Sequence, residues 1–197
     1  AQTCSGDIEE KNQAKRDIKQ NIKMISEQVD RLFALKKEGI LVIFQAMDAG
    51  GKDSIVKHVF AGLNPLAVTV TSFKEPSKEE RQHDYLWRIV PHLPAYGMIS
   101  VFNRSYYEDV LISKIHRLYD NLPQRCLDGD VIADRYRQIC ALERYLWENG
   151  IRVVKIFLNI SKEEQKRRFL KRISKESKNW KFAESDLTER NFWQECI

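Results

Sequence analysis

The stretch ILVIFQAMDAGGKDS, residues 40–54, decides the fold of this chain. Its first five residues form a continuous apolar run rich in branched side chains, which predicts a strand buried on both faces of a parallel sheet. A glycine turn follows directly, and the pattern from Lys52 to Phe60 is helical. A strand, a glycine turn and a helix in this order predict a loop that binds phosphate at the N-terminus of the helix.

The loop partly matches the phosphate-binding pattern G-x-x-x-x-G-K-[ST]. Gly51 and Lys52 match it, whereas Ala46 occupies the first glycine position and Asp53 the Ser/Thr position. The strand before the loop and the helix after it supply the context that phosphate binding requires. The alternative is a plain turn whose glycines only permit the bend. The phosphate ligands predicted in the loop are Ala49, Gly50, Gly51, Lys52 and Asp53.

Asp48 is an unusual residue for a loop that attracts anions. Its carboxylate repels a phosphate unless a metal ion or a reacting group requires it there. We expect Asp48 to orient an attacking phosphate oxygen or accept its proton, or to hold Mg²⁺, while Lys52 neutralises the transferred group. The alternative is a turn aspartate that caps the helix beginning at Lys52.

Strands alternate with helices along the rest of the chain. Further strands are predicted at 67–73, 98–102 and 151–159. Helices are predicted at 7–37, 52–60, 78–89, 105–116, 131–148, from 161 onward and within 186–197. The alternation predicts a three-layer α/β fold, with helices on both faces of a mainly parallel sheet. Because ligands bind beyond the carboxyl ends of such strands, the residues after Phe44, Phe73 and Phe102 should share one crevice.

Polar residues follow two of these strands and face the same expected crevice. Lys74 follows the strand at 67–73, and Asn103 and Arg104 follow the strand at 98–102. The Arg104 guanidinium can bind two phosphate oxygens, and Glu108 lies one helical turn later on the same face. The alternative role for an acidic residue here is to match the dipole of the helix N-terminus.

Length and composition restrict the class of protein. The 197 residues correspond to about one domain, and 43% hydrophobic with 31% charged residues argue against disordered, collagen-like and low-complexity classes. The longest apolar run, 40–44, is far shorter than the roughly 20 residues of a transmembrane helix, so we expect no membrane partner. We expect reduced thiols and a cytoplasmic location, because no C-x-x-C spacing joins Cys4, Cys126, Cys140 and Cys196.

The positive charge of the chain is concentrated in one segment. The formal net charge is +5, yet residues 161–182 alone hold nine basic and three acidic residues. The rest of the chain is therefore nearly neutral, which argues against a nucleic-acid-binding coat and points to a local acidic ligand. The alternative is a basic helix face that is only solvated.

Several blocks of sequence occur in a characteristic order along the chain. They are QAMDAGGKDS (45–54), GLNP (62–65), SFKEPS (72–77), HDYLWR (83–88), FNRSYYEDVL (102–111), FLNISKEEQKRRFLKRI (157–173) and KNWKF (178–182). Together these blocks resemble the polyphosphate kinase 2 family, from about residue 10 to the C-terminus. Asn103-Arg104-Ser105 with Glu108 resembles the branch associated with phosphorylating AMP as well as ADP.

The resemblance implies a P-loop kinase fold with a helical lid, whose lid segment falls within about residues 113–182. Members of the family continue with another strand and helix, so we expect residues 1–197 to form a single domain without these two elements. The family also implies Mg²⁺ as cofactor, inorganic polyphosphate and adenine nucleotides as partners, and a homo-oligomer.

The resemblance also assigns roles to individual residues. It implies catalytic roles for Asp48, Lys52 and Arg104, with Mg²⁺ at Asp48, and nucleotide-binding roles for Asn103 and Glu108. On the basic helix at 161–174, cations four residues apart form adjacent rows that suit a long polyanion, while Phe169, Leu170 and Ile173 are expected to face inward. The polyphosphate ligands expected beyond the loop are Lys74, Arg104, Arg167, Arg168, Lys171 and Arg172.

The function expected from these features is phosphoryl transfer between inorganic polyphosphate and AMP or ADP, which forms ADP or ATP. One alternative is an ATP-dependent nucleoside monophosphate kinase of the thymidylate-kinase type, which also has an aspartate in its loop and a basic lid helix. A second alternative is a non-catalytic P-loop protein that binds nucleotides or polyanions.

Overall fold

A computed structural model of the protein describes residues 11–120 and 122–174 together with Trp193. The predicted helix within 186–197, apart from Trp193, and residues 175–182 of the basic segment lie outside these residues. In this described part of the chain, no helix has the length and apolar character that crossing a membrane requires. The elements are α1 (Lys11–Leu35), β1 (Gly39–Ala46), α2 (Lys52–Phe60), β2 (Val68–Ser72), two 3₁₀ helices (Glu80–Gln82 and Val90–His92), β3 (Ile99–Asn103), α3 (Glu108–His116), α4 (Gln124–Leu127), α5 (Val131–Glu148), β4 (Ile151–Leu158) and α6 (Lys162–Ile173).

The four strands form one parallel sheet in the order β2-β3-β1-β4. Asn103 at the end of β3 pairs with Phe44 of β1 on one side and with Ser72 of β2 on the other. The carboxyl ends of these three strands therefore lie side by side at one edge of the sheet, where ligands of parallel α/β sheets bind.

Alternate residues of the strands enter two separate cores, because successive side chains of a strand point to opposite faces. On one face the sheet packs against α3 and α5, and the core there includes Leu41, Ile43, Phe102, Val110, Ile139 and Leu146. On the other face it packs against α1 and α2, and the core includes Val29, Val42, Phe44 and Val101, with Phe60 partly buried. Helices on both faces of a parallel sheet confirm the predicted three-layer α/β fold.

The predicted helix over 78–89 is wrong. The capping box that suggests it does form, since Ser77 N–H donates to Glu80 Oε2 at 2.6 Å and Glu80 N–H donates to Ser77 Oγ at 3.1 Å. Only a 3₁₀ helix follows, because the Asp84 side chain accepts the N–H of Leu86 at 3.0 Å. Such a local side-chain bond offers the backbone an alternative to the helix.

The inward face of the basic helix is narrower than predicted. Phe169 is buried, but 58% of Leu170 and 48% of Ile173 is exposed. The expectation that both of these residues face inward is therefore wrong within the described structure. The residue that accompanies Phe169 in the interior is Gln165, one turn earlier.

Candidate active site

The loop between β1 and α2 begins after Ala46 and ends at Gly51. Gly51 has a φ of 102°, a left-handed conformation that suits glycine. Ala49 also has a positive φ, 58°, which costs a non-glycine residue about 1–2 kcal/mol. Backbone strain of this kind concentrates at functional sites, so the loop is marked by its geometry as well as by its sequence.

Position 50 has no room for a side chain, in part because of the alanine that replaces the first glycine of the pattern. A Cβ at position 50 would lie 2.5 Å from the Ala46 Cβ and 2.7 Å from the Met47 carbonyl oxygen. The Gly50 N–H donates to that same carbonyl oxygen at 2.9 Å, so it closes the turn. The alanine at position 46 and the Met47 carbonyl group thus both favour a glycine at position 50.

Lys52 is buried at the start of α2, with 8% of its surface exposed. Its Nζ donates to the Ala46 carbonyl oxygen at 2.7 Å. Burial lowers the pKa of Lys52 below its usual range, and the charge of Arg104 lowers it further, whereas the carboxylates of Asp48 and Glu108 raise it. An anion bound beside this ammonium group would favour its charged form.

Asp48, Arg104 and Glu108 come together beside the loop. The Arg104 guanidinium donates to Asp48 Oδ1 at 3.0 Å, and its other terminal nitrogen lies 3.8 Å from Glu108 Oε2. The side chains of Arg104 and Asp48 are 42% and 29% exposed, so the pair is open to a ligand. Two carboxylates and one guanidinium at the edge of a phosphate loop can bind phosphate through the cation and a metal or an acceptor through the acids.

Asn103 and Asp53 form a second pair beneath the loop. Asn103 is buried, and its Nδ2 donates to Asp53 Oδ1 at 2.8 Å. This bond joins the end of β3 to the first turn of α2. Both residues are predicted ligands, Asn103 of the nucleotide and Asp53 of phosphate, and both predictions stay open beside this structural contact.

Gln45 is a site residue that the sequence analysis missed. Its Nε2 donates to Glu108 Oε1 at 2.6 Å, and its own Oε1 is buried with no hydrogen-bond partner among the described residues. Gln45 therefore restrains the Glu108 carboxylate. The available signal was a polar residue placed directly after the apolar run 40–44.

The basic helix α6 lies against the loop. Ser161 caps it by accepting the N–H of Glu164 at 3.1 Å, as its capping-box spacing predicts. The Glu164 carboxylate accepts bonds from both Arg167 and Arg168, each at 2.7 Å, and these bonds lower the pKa of Glu164 to about 2. Arg168 is thereby held in place.

Two side chains of α6 reach the loop backbone. Arg168 Nη1 donates to the carbonyl oxygens of Ala49 and Gly50 at 3.1 and 2.8 Å. Gln165, which sequence reasoning missed, donates from Nε2 to the Asp48 carbonyl oxygen at 3.0 Å. The signal for Gln165 was its position four residues before Phe169, on the apolar face of the helix.

Three predicted polyphosphate ligands stand apart from this cluster. The Lys74 side chain is exposed, and its carbonyl oxygen accepts a bond from Arg88 at 2.8 Å. Lys171 is exposed on α6, and the Arg172 guanidinium lies 5.7 Å from the centre of the Phe169 ring. Their predicted roles require a ligand long enough to extend beyond the loop.

Among the described residues, no group of three or more His, Cys, Asp or Glu side chains is arranged to hold a metal ion. Asp48 and Asp53 nevertheless place two carboxylates at the loop. Mg²⁺ usually binds through one or two carboxylates together with water and substrate phosphates rather than in an all-protein cage. The donor set at the loop therefore fits Mg²⁺ in the presence of a phosphate ligand.

The family model described as polyphosphate kinase 2 (PPK2) matches residues 7–196. The chain belongs to the polyphosphate kinase 2 family. It is 45% identical over 186 residues to an ADP-polyphosphate phosphotransferase of Rhodopseudomonas palustris. This alignment covers 91% of this chain and 64% of that relative. It is 43% identical over 162 residues to an AMP/ADP-polyphosphate phosphotransferase of Meiothermus ruber, covering 82% of this chain and 58% of the relative.

Solved structures of this family have the same fold. The crystal structure of polyphosphate kinase 2 from Arthrobacter aurescens aligns with a TM-score of 0.89 and 39% sequence identity, over 98% of this chain and 67% of that one. The described polyphosphate kinase 2 chain thus has the P-loop kinase fold expected from its sequence. It spans about three fifths of the length of the two curated relatives.

Proposed function

We propose that the protein transfers a phosphoryl group between inorganic polyphosphate and adenine nucleotides, forming ADP from AMP and ATP from ADP. The observation that carries this proposal is the contact between Asp48 and Arg104 at the edge of the loop. A cation that binds phosphate and an acid that orients an acceptor stand next to each other there. The names of the relatives, which specify polyphosphate with ADP or with AMP and ADP, support the same donor and acceptors.

The loop and two cations would hold the reacting phosphates in line. The N-terminus of α2 lies at the end of the loop, and a helix N-terminus is a favourable place for an anion such as phosphate. Lys52 and Arg104 would neutralise the charge on the transferred group and its neighbours. Phosphoryl transfer needs little covalent chemistry from the protein, so positioning and electrostatic stabilisation supply most of the rate enhancement.

Asp48 would orient the attacking oxygen of the nucleotide phosphate. Its carboxylate is partly exposed and is fixed by Arg104, so it can face an acceptor without losing its position. The same carboxylate would hold Mg²⁺, which when bound spreads the negative charge that develops between the phosphates. Asn103 and Glu108, which flank Arg104 in the sequence, would contact the acceptor.

The basic helix would bind the part of the polyphosphate chain that extends beyond the reaction centre. Arg167, Arg168, Lys171 and Arg172 lie on consecutive turns of α6, and Arg168 already contacts the loop. A lid segment within about residues 113–182 would include this helix. A cytoplasmic location and a homo-oligomer complete the proposal.

The donor distinguishes this function from that of an ATP-dependent monophosphate kinase. Purified protein is incubated with Mg²⁺ and AMP or ADP, with either polyphosphate or ATP as donor, and product nucleotides are separated by chromatography. We expect ADP and ATP to form from polyphosphate with no nucleoside triphosphate added. The proposal would be contradicted if product formed only with ATP as the donor, or if polyphosphate bound but gave no product.

The role of Asp48 has its own test in the same assay. Asp48→Asn keeps the shape of the side chain but removes its charge, so we expect turnover to be lost while polyphosphate binding stays roughly intact. Asp128→Asn, a change of the same type at an exposed residue of the described structure, serves as the control. Unchanged turnover in the Asp48 variant would contradict the role given to Asp48.

A further inference from the structure

Three consecutive carbonyl groups of the loop are bound by one helix. The Asp48 carbonyl oxygen accepts from Gln165 at 3.0 Å, and those of Ala49 and Gly50 accept from Arg168 at 3.1 and 2.8 Å. Gln165 and Arg168 are three residues apart on α6, so they lie on the same face of the helix. The backbone of the loop is therefore fixed from one side by α6.

Gln165 is a polar residue at a buried position, where an unpaired polar atom destabilises the fold. It is 2% exposed, and its Oε1 is buried with no hydrogen-bond partner among the described residues. Burying an unpaired amide oxygen costs about 1–3 kcal/mol, so an apolar side chain of similar size would suit packing better. Packing alone does not account for a glutamine here, whereas the bond from its Nε2 to Asp48 does.

The direction of these carbonyl groups decides where the loop N–H groups point. A peptide unit is planar, and its C=O and the N–H of the next residue point in opposite directions. Carbonyls of residues 48–50 that point toward α6 therefore turn the following N–H groups away from it. Gly50 N–H closes the turn on Met47, which leaves the N–H groups of Ala49 and Gly51 directed away from α6.

We propose that Gln165 is a positioning residue for Asp48. By holding the Asp48 carbonyl oxygen, it fixes the backbone from which the Asp48 carboxylate reaches Arg104, and it aims the next N–H of the loop at the phosphate site. Arg168, held by Glu164, completes the same support at the next two residues. This inference rests on the proposed function, because Gln165 would act through Asp48, the carboxylate that orients the attacking phosphate oxygen.

Gln165→Met removes the donor and keeps the size of the side chain. It also removes the unpaired Oε1, which offsets the lost bond, so we expect the melting temperature to change little. We expect kcat to fall about tenfold or more with polyphosphate and ADP, because small displacements of a catalytic group are costly. The KM for polyphosphate should stay within about twofold of the wild-type value, and Gln20→Met, the same change at an exposed residue of α1, should leave kcat unchanged.

Gln165→Glu provides a readout that a packing role would not produce. A protonated glutamic acid can donate its O–H to the Asp48 carbonyl oxygen, whereas the ionised form can only accept, and burial raises the pKa of such a side chain. We expect kcat of this variant, divided by the wild-type kcat at each pH, to fall as pH rises through that pKa. The same ratio for Gln165→Met should not depend on pH.

Three results would overturn the inference: a wild-type kcat in Gln165→Met, losses of kcat that only follow the folded fraction of each variant, or a pH-independent ratio for Gln165→Glu. The folded fraction is measured by circular dichroism under the assay conditions. A wild-type protein that makes no product from polyphosphate would instead refute the proposed function, and that result is visible before any variant is compared.

Discussion

Arg104 has a backbone conformation that few arginines adopt. Its φ is 66°, in the left-handed region, which costs a non-glycine residue about 1–2 kcal/mol. Its N–H donates to the Phe44 carbonyl oxygen at 3.1 Å, so the pairing of β3 with β1 continues up to this residue. The chain then turns, and the guanidinium reaches Asp48. The strain therefore coincides with the residue assigned to phosphate binding, as strain at functional sites often does.

The dependence of Gly50 on Ala46 predicts a compensating pair of substitutions. Gly50→Ala places a Cβ 2.5 Å from the Ala46 Cβ, so we expect kcat/KM with polyphosphate to fall about tenfold or more as the loop shifts. Adding Ala46→Gly removes that clash and should restore part of the loss, while the remaining contact with Met47 prevents full recovery. Steady-state kinetics of both single variants and the double variant measure the coupling. Strictly additive losses would contradict the dependence.

Asp109 is buried beside the site and predicts a pH dependence of stability. Burial raises its pKa to about 6, against the opposing charges of Arg135 and Arg88, while Glu108 raises it further. A carboxyl whose folded-state pKa exceeds its unfolded value of 3.8 supports the fold below that value, and this support is lost as pH rises through about 6.

Asp109→Asn removes this titration. We expect the variant to have a free energy of unfolding higher than wild type by up to about 3 kcal/mol at pH 7.5, because the asparagine cannot ionise. The difference should shrink toward pH 4, where the wild-type carboxyl is neutral in the folded state and only partly ionised in the unfolded state. Urea denaturation at the two pH values measures it, and an equal difference at both would contradict the raised pKa.

At the scale of single elements, the basic helix combines two tasks. Its inner face supports the loop through Gln165 and Arg168, and its outer face carries Lys171, which is exposed. Contacts between cations and a polyanion release counterions, so binding through the outer face should weaken steeply with salt.

Lys171→Gln tests the outer face separately. We expect the slope of log KM for polyphosphate against log salt concentration to decrease by up to about one, with little change in kcat at saturating substrate. Lys19→Gln, at an exposed lysine of α1, is the control and should keep the wild-type slope. An unchanged slope in the Lys171 variant would contradict a role of Lys171 in polyphosphate binding.

Sequence periodicity predicts the elements that bury a regular face. The run 40–44 lies in β1 and is buried on both faces of the sheet, and the helix predicted at 52–60 coincides with α2. Both patterns are visible in the sequence because these elements bury side chains in the two cores. The prediction for segment 78–89 fails because the conformation there depends on local hydrogen bonds, such as the one from Leu86 N–H to the Asp84 side chain. Hydrophobic periodicity gives no information about such bonds.

The candidate site is predictable to a similar extent. Asp48, Lys52 and Arg104 stand at strand ends and in the loop, where position alone indicates a role. Gln45 and Gln165 escape prediction because their contacts join residues far apart in sequence. A single polar residue on a buried face does not indicate which backbone atom it will bind.

At the scale of the whole molecule, the sheet order brings three segments of the candidate site together. The loop follows β1 at the centre, Asn103 ends the neighbouring β3 and Arg104 follows it, and α6 follows β4 on the other side of β1. The loop therefore receives the arginine from one side and the supporting helix from the other. This arrangement follows from parallel pairing, which ends all strands at one edge.

Transfer of label from polyphosphate tests the central claim most directly. Polyphosphate labelled with ³²P is incubated with the protein, Mg²⁺ and AMP, with no nucleoside triphosphate present, and the nucleotides are then separated. We expect the label to appear in the β-phosphate of ADP and to disappear with Asp48→Asn. Unlabelled nucleotide product, or label released only as inorganic phosphate, would contradict a polyphosphate-dependent nucleotide kinase.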